Sequence, residues 1–128
     1  MANAVTSVTN VTVTAGSTPL LSNELGAIYS EQQIAELVNV YSTKYGVNPT
    51  KVLETVRCES RFRNVQSGIV SNGVREDSWG LAQINLPSHP SISKQQALQP
   101  EFALEWMTKQ FSLGKASQWS CYRSLYGS

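Results

Sequence analysis

Val52-Leu53-Glu54-Thr55-Val56-Arg57-Cys58-Glu59-Ser60 reads as the closing turns of a helix. Val52, Val56 and Glu59 fall at i, i+4 and i+7, so one helical face carries two valines and then a carboxylate. Removing water from around a carboxyl favours its neutral form and raises its pKa, which keeps a proton available for donation near neutral pH. Asn48 is a good N-cap and Pro49 a good first helical residue, so the helix is predicted over about 49–60 with Glu59 near its end. The negative pole of that helix disfavours ionisation of Glu59 in the same direction as burial.

Upstream, Ser30 and Gln33 have the spacing of a capping box. Ile34, Leu37, Val38, Tyr41 and Tyr45 then hold a helical stripe up to Gly46, which predicts a helix over about 31–45. Downstream, residues 61–78 carry no long period. Gly68, Asn72 and Gly73 mark turns there, and Ser71-Asn72-Gly73-Val74 reads as the tip of a small hairpin. Ser93 caps a short helix running through Leu98. Pro100 starts a stronger one in which Phe102, Leu104, Trp106, Met107, Phe111 and Leu113 are expected to be largely buried before Gly114 ends it. A last short helix carries Trp119, Tyr122 and Tyr126. The predicted fold class is mainly α, a helical domain with a small hairpin lobe.

With 128 residues, 41% hydrophobic and 15% charged, the chain fits one globular domain. Its net charge of +1 gives no global attraction to nucleic acid. The charge is uneven, however: Arg57, Arg61, Arg63 and Arg75 crowd the segment around Glu59 before Glu76 and Asp77 reverse the sign. Those arginines are either a solvated loop or a basic rim that attracts an acidic polymer. No run of about 18 apolar residues exists to span a membrane. Residues 1–25 lack the basic start and apolar block of a signal peptide and are rich in Val, Thr, Ser and Asn. The Val-Thr alternation over 8–14 has a strand's period, but a flexible leader or linker is the expectation for 1–25, with the folded domain over 26–128. His89, with no second His and no nearby Cys cluster, is expected in a surface loop rather than on a metal.

Two blocks go further. Glu59-Ser60-Arg61-Phe62, followed by Asp77-Ser78-Trp79-Gly80-Leu81-Ala82-Gln83-Ile84-Asn85, resembles the lysozyme-like superfamily, in particular its soluble lytic transglycosylase domain, over roughly residues 30–126. The resemblance implies an α+β lysozyme-like fold in which a Glu-Ser pair closes a helix and a Gly-Leu-x-Gln segment lines the opposite wall of a glycan cleft. It also implies an activity: cleavage of the β-1,4 bond between MurNAc and GlcNAc in peptidoglycan, with Glu59 as the single catalytic carboxyl. In that mechanism Glu59 protonates the leaving oxygen and the substrate's acetamido group stabilises the anomeric carbon. Glu59 then takes a proton from the 6-hydroxyl, which closes a 1,6-anhydro ring without water or cofactor. By the same resemblance Ser78 hydrogen-bonds Glu59 or the acetamido group, and Gln83 and Asn85 bind the sugar.

Alternatives remain beside this reading. A hydrolytic muramidase needs a second Asp or Glu about 5 to 9.5 Å from the first, and the candidates are Glu76 and Asp77. Against animal-type lysozymes, which the segment also resembles, the second carboxylate falls on Ser78. Neighbours on an extended segment point oppositely, so Asp77 looks away if Ser78 looks in. The Ala-Tyr-Asn-Ala-Gly block common in lytic transglycosylases is missing; Tyr122 is either its substitute or core. Its absence also admits a non-catalytic glycan-binding module, although such a module has no need of a carboxyl on an apolar stripe. Ala82 stands where Met is usual, widening a subsite or leaving room for another chain segment. Trp79 stacks on a sugar or fills the core. Cys58 and Cys121 are too far apart for a Cys-x-x-Cys motif and are either two buried thiols or a bridge. The oxidising workplace of a cell-wall enzyme favours the bridge, which would fasten the helix of Glu59 to the C-terminal segment. The implied setting is the cell envelope, periplasm or extracellular space, or a phage virion, with glycan strands as partner and a larger envelope, phage or secretion assembly as the wider context.

Overall fold

Capping chemistry sets the frame. In a computed structural model that describes residues 27–127, α1 spans Glu31–Tyr45 and α2 spans Pro49–Ser60. Ser30 Oγ accepts the Gln33 N–H at 3.1 Å while Gln33 Oε1 accepts the Ser30 N–H at 2.8 Å, so two orphan donors at the start of α1 are satisfied reciprocally. Gly46 ends α1 in the left-handed region at φ 69°. Asn48 opens α2 by accepting the Thr50 N–H at 2.9 Å, and Pro49 follows at the first helical position. Both helices match the ranges read from the sequence. The expected leader over 1–25 lies outside the described residues.

The lobe after α2 is built from two hairpins of minimal length. Strands β1 (Val70–Ser71) and β2 (Val74–Arg75) pair antiparallel, Val70 opposite Arg75 and Ser71 opposite Val74. Asn72 and Gly73 take φ 54° and 77°, the positive pair that a two-residue hairpin turn demands. The second hairpin, β3 (Ser78–Trp79) with β4 (Ile84–Asn85), was not expected from the sequence. Two-residue strands leave no alternation long enough to detect. Gly80 turns the chain at φ 84°, and a Cβ there would lie 1.9 Å from the Ala97 carbonyl oxygen, so the close approach of these two segments requires glycine.

Three further helices complete the described residues: α3 (Lys94–Ala97), α4 (Pro100–Ser112) and, after a 3₁₀ turn at Ala116–Gln118, α5 (Ser120–Tyr126). The core joins Ile34 and Val38 of α1, Val52 and Val56 of α2, Leu81 and Ile84 of the second hairpin, and Leu104 and Met107 of α4. Glu105 of α4 accepts from Lys44 Nζ at 2.6 Å and from the Tyr45 hydroxyl at 2.7 Å, tying the end of α1 to α4. Leu113 departs from expectation. It is 55% exposed, because α4 ends at Ser112 beyond the edge of the core, and Phe102, Trp106 and Phe111 are only partly buried.

Cys58 and Cys121 form a disulfide, with Cα atoms 5.9 Å apart and a sequence separation of 63. Closing a loop of that size stabilises a fold by about 4 kcal/mol in the chain-entropy account. Here it fastens α2 to α5. No helix among the described residues is long and apolar enough to cross a membrane.

Candidate active site

Glu59 is the next-to-last residue of α2 and is half-buried. The chain leaves it abruptly. Ser60 Oγ donates to the Val56 carbonyl at 3.1 Å and accepts the Phe62 N–H at 3.2 Å, and Arg61 and Phe62 both adopt left-handed backbone, φ 53° and 63°. The Cys121 N–H donates to Glu59 Oε2 at 3.0 Å. Burial pushes the Glu59 pKa up and dominates; the Cys121 N–H opposes it, the negative charge of Glu76 adds to it, and Arg123 opposes it more weakly. The disulfide therefore joins the residue before Glu59 to the residue whose backbone holds it.

Glu76 occupies the other wall. Its N–H donates to the Ile69 carbonyl at 2.7 Å, and its carboxyl accepts the Ser67 hydroxyl on Oε1 and the Ser78 hydroxyl on Oε2, each at 3.0 Å. Behind Ser78, Asn85 Nδ2 donates to Ser78 Oγ at 3.2 Å, and Asn85 Oδ1 accepts both the N–H and the hydroxyl of Ser88, at 3.1 and 2.7 Å. Ser78 thus commits its hydroxyl to Glu76 rather than to Glu59, the first of the two partners expected for it. Asp77 turns the other way and accepts the Trp79 indole N–H at 2.6 Å. The alternation that turns Asp77 out brings Glu76 and Ser78 to one face. The period of two that turns Asp77 away from the face of Ser78 applies equally to Glu76, two residues before Ser78.

Two adjoining depressions meet at these carboxyls. The larger has a volume of about 410 Å³ and is lined by Asn85, Ser88, His89, Trp106, Gln118 and Trp119 among others. The smaller, about 240 Å³, is lined by Arg61, Arg63, Gln66, Ser67 and Ile69 among others. Glu59, Glu76, Gln83 and Ser120 line both, so the two carboxyls stand at the junction of a cleft that continues on either side. A polymer lying across the junction would present one internal bond to both carboxyls, with room for its flanking units.

No protein-family model, curated protein or solved structure matches this chain significantly.

Of the expected sugar-binding residues, Ser78, Gln83 and Asn85 line the cleft, and two do not. Trp79 is buried at 9% exposure, and the Lys94 ammonium sits 4.6 Å from its ring centroid, so it fills the core instead of offering a face to a sugar. Tyr122 packs edge-on against Phe111, 5.3 Å between ring centroids, and lines neither depression. Gln83 is partly occupied as well: its Nε2 donates to the Val65 and Gly80 carbonyls at 3.1 and 2.9 Å, bracing the loop.

The residues missed from sequence are His89, Trp106, Trp119, Gln118 and Ser120. His89 does lie in a loop, but it stands edge-on to Trp106, 4.8 Å between centroids, on the wall of the larger depression. These five come from segments far apart in the chain, and no local pattern marks them. Ala82 explains part of their assembly. Its side chain is fully buried and its carbonyl accepts the Trp119 indole N–H at 2.7 Å, so the short residue leaves room for the C-terminal segment. Among the described residues no group of three or more His, Cys, Asp or Glu is placed to hold a metal ion.

Proposed function

We propose that this protein cleaves the β-1,4 MurNAc–GlcNAc bond of peptidoglycan as a lysozyme-like glycosidase, with Glu59 as the proton donor. The observation that carries the proposal is a carboxyl with raised proton affinity at the junction of a two-sided cleft. Donation to a bridging glycosidic oxygen requires such an acid. The resemblance of the two blocks to lytic transglycosylases supports the non-hydrolytic route, in which Glu59 acts as acid and then as base and a 1,6-anhydro ring forms.

A second reading has its own observation. Glu76 lines the same cleft as Glu59 and its charge acts on Glu59, whereas Asp77 turns to the Trp79 indole, which favours a muramidase in which Glu76 stabilises the oxocarbenium-like carbon or activates water. Asp77 is set aside as that partner. Mass spectrometry of muropeptides released from purified peptidoglycan tests both readings. Products lighter by one water than reducing-end species support the transglycosylase, reducing-end products support the Glu76 muramidase, and no released products would leave a glycan-binding module.

A further inference from the structure

The smaller depression differs in character from the larger one. The larger is walled by Trp106, Trp119 and His89, whereas Arg61 and Arg63 line only the smaller, away from the junction where Glu59 and Glu76 stand. Other cations of this region are occupied. Arg57 sits 3.8 Å from the Glu54 carboxylate and lies over the Phe62 ring, Arg75 donates to the Ser67 and Gln66 carbonyls, and Arg123 donates to the Ser117 carbonyl. Arg61 and Arg63 are exposed, and neither has an ion-pair partner among the described residues. Their placement is enforced by backbone. Two consecutive non-glycine residues, Arg61 and Phe62, take left-handed φ, and the Phe62 ring is anchored against the core. The chain is thereby turned so that Arg61 and Arg63 line the same depression. Strain of this kind persists only where the surroundings over-determine it, and it concentrates at ligand clamps.

We propose that the smaller depression is a carboxylate subsite, in which Arg61 and Arg63 bind an anionic group carried on the lactyl substituent of the glycan strand. This rests on the peptidoglycan reading above and extends it from the glycan backbone to what the backbone carries. Guanidinium groups present paired donors in the geometry a carboxylate accepts, and charge-assisted bonds of this type are about twice as strong as neutral ones. Two sources share the chemistry: the lactyl carboxylate itself, free wherever the stem peptide has been removed, and the carboxylates of the stem peptide. The aromatic depression, with no arginine or lysine on its wall, suits the uncharged sugar faces.

The test compares wild type with the double variant Arg61→Gln/Arg63→Gln on three preparations of one glycan: strands bearing stem peptides, strands freed of peptide by an amidase, and freed strands whose lactyl carboxylates have been converted to neutral amides. The quantity read is the ratio of wild-type to variant kcat/KM on each. We expect that ratio to be at least about tenfold larger on a charged preparation than on the neutral one, the discrimination supplied by one charge-assisted hydrogen bond. An excess confined to peptide-bearing strands assigns the stem-peptide carboxylates, an excess confined to freed strands assigns the lactyl carboxylate, and an excess on both shows that the subsite takes either carboxylate. Equal ratios on all three preparations overturn the subsite while leaving glycan cleavage intact. If wild type cleaves none of them, the glycosidase reading itself has failed and the subsite falls with it.

Discussion

Glu59 and Glu76 share one cleft, yet the walls that hold them are made differently. Glu59 closes a well-capped helix on an apolar stripe, accepts a single backbone N–H from Cys121, and has a covalent bridge running beside it. Glu76 directly follows the two-residue strand β2 and is held by the hydroxyls of Ser67 and Ser78, with Asn85 and Ser88 behind them. The first wall makes a carboxyl reluctant to ionise. The second supplies hydroxyl donors to its carboxyl. Two carboxyls in one cleft can take different roles when their environments differ in this way, and Glu59 is the one suited to give up a proton late.

The strongest way to break that contrast is Glu59→Gln. The amide keeps the shape and can still accept the Cys121 N–H, but it cannot cycle a proton, so peptidoglycan cleavage should fall by about 10² to 10⁴, the usual contribution of a general acid. A rate within about tenfold of wild type would remove Glu59 from that role. Glu76→Gln sharpens the contrast between mechanisms: a loss as deep as that of Glu59→Gln identifies a partner carboxylate, and a loss within about tenfold favours the single-carboxyl route. Under either mechanism the variant removes a charge that raises the Glu59 pKa. A general acid must be protonated, so kcat/KM falls as pH rises through that pKa, and the alkaline limb should move to lower pH in Glu76→Gln. An unmoved limb would show that Glu76 does not act on Glu59.

The covalent bridge comes next. Cys121→Ser or reduction should cost about 2 to 5 kcal/mol, lowering Tm by several degrees, and should release the backbone donor from Glu59. An unchanged melting curve would deny the bridge its part in holding the wall. Asp77→Asn should change activity little, because Asp77 faces the Trp79 indole and not the cleft; a loss comparable to Glu59→Gln would mean that the working hairpin has the opposite register.

The smallest expected effect is on stability. The folded pKa of Glu59 lies above its ordinary value of 4.5, so the unfolded chain releases this proton first. Stability from the protonated carboxyl is full below that value and is lost as pH rises through the folded pKa. At neutral pH Glu59→Gln should therefore melt slightly higher than wild type, with the difference closing in acid. A difference of opposite sign, followed by calorimetry across pH, would contradict the burial argument.

The helical wall and the tip of the β1–β2 hairpin were legible in the sequence and the β3–β4 hairpin was not, for physical reasons. Ser30, Gln33, Gly46, Asn48 and Pro49 act on groups within a few residues of themselves, so the bounds of α1 and α2 follow from local chemistry. Val52, Val56 and Glu59 repeat at the helical period, and that sufficed to place the carboxyl on the buried face. The β3–β4 hairpin offers two residues per strand, too few for a period. The roles of Trp79 and Tyr122 turned on tertiary packing: Lys94 covers one ring and Phe111 meets the other. His89, Trp106 and Trp119 meet only because α4, the 3₁₀ turn and the loop before α3 converge, and no window of sequence contains that convergence.

The most direct measurement is a site-resolved carbon NMR titration of the Glu59 carboxyl, in wild type and in Glu76→Gln. Burial and the Glu76 charge together require a wild-type midpoint above 4.5, moving back toward that value in the variant. A wild-type midpoint at or below 4.5 would mean that the helical wall does not hold the proton on Glu59, and the assignment of Glu59 as the acid would lose its physical basis.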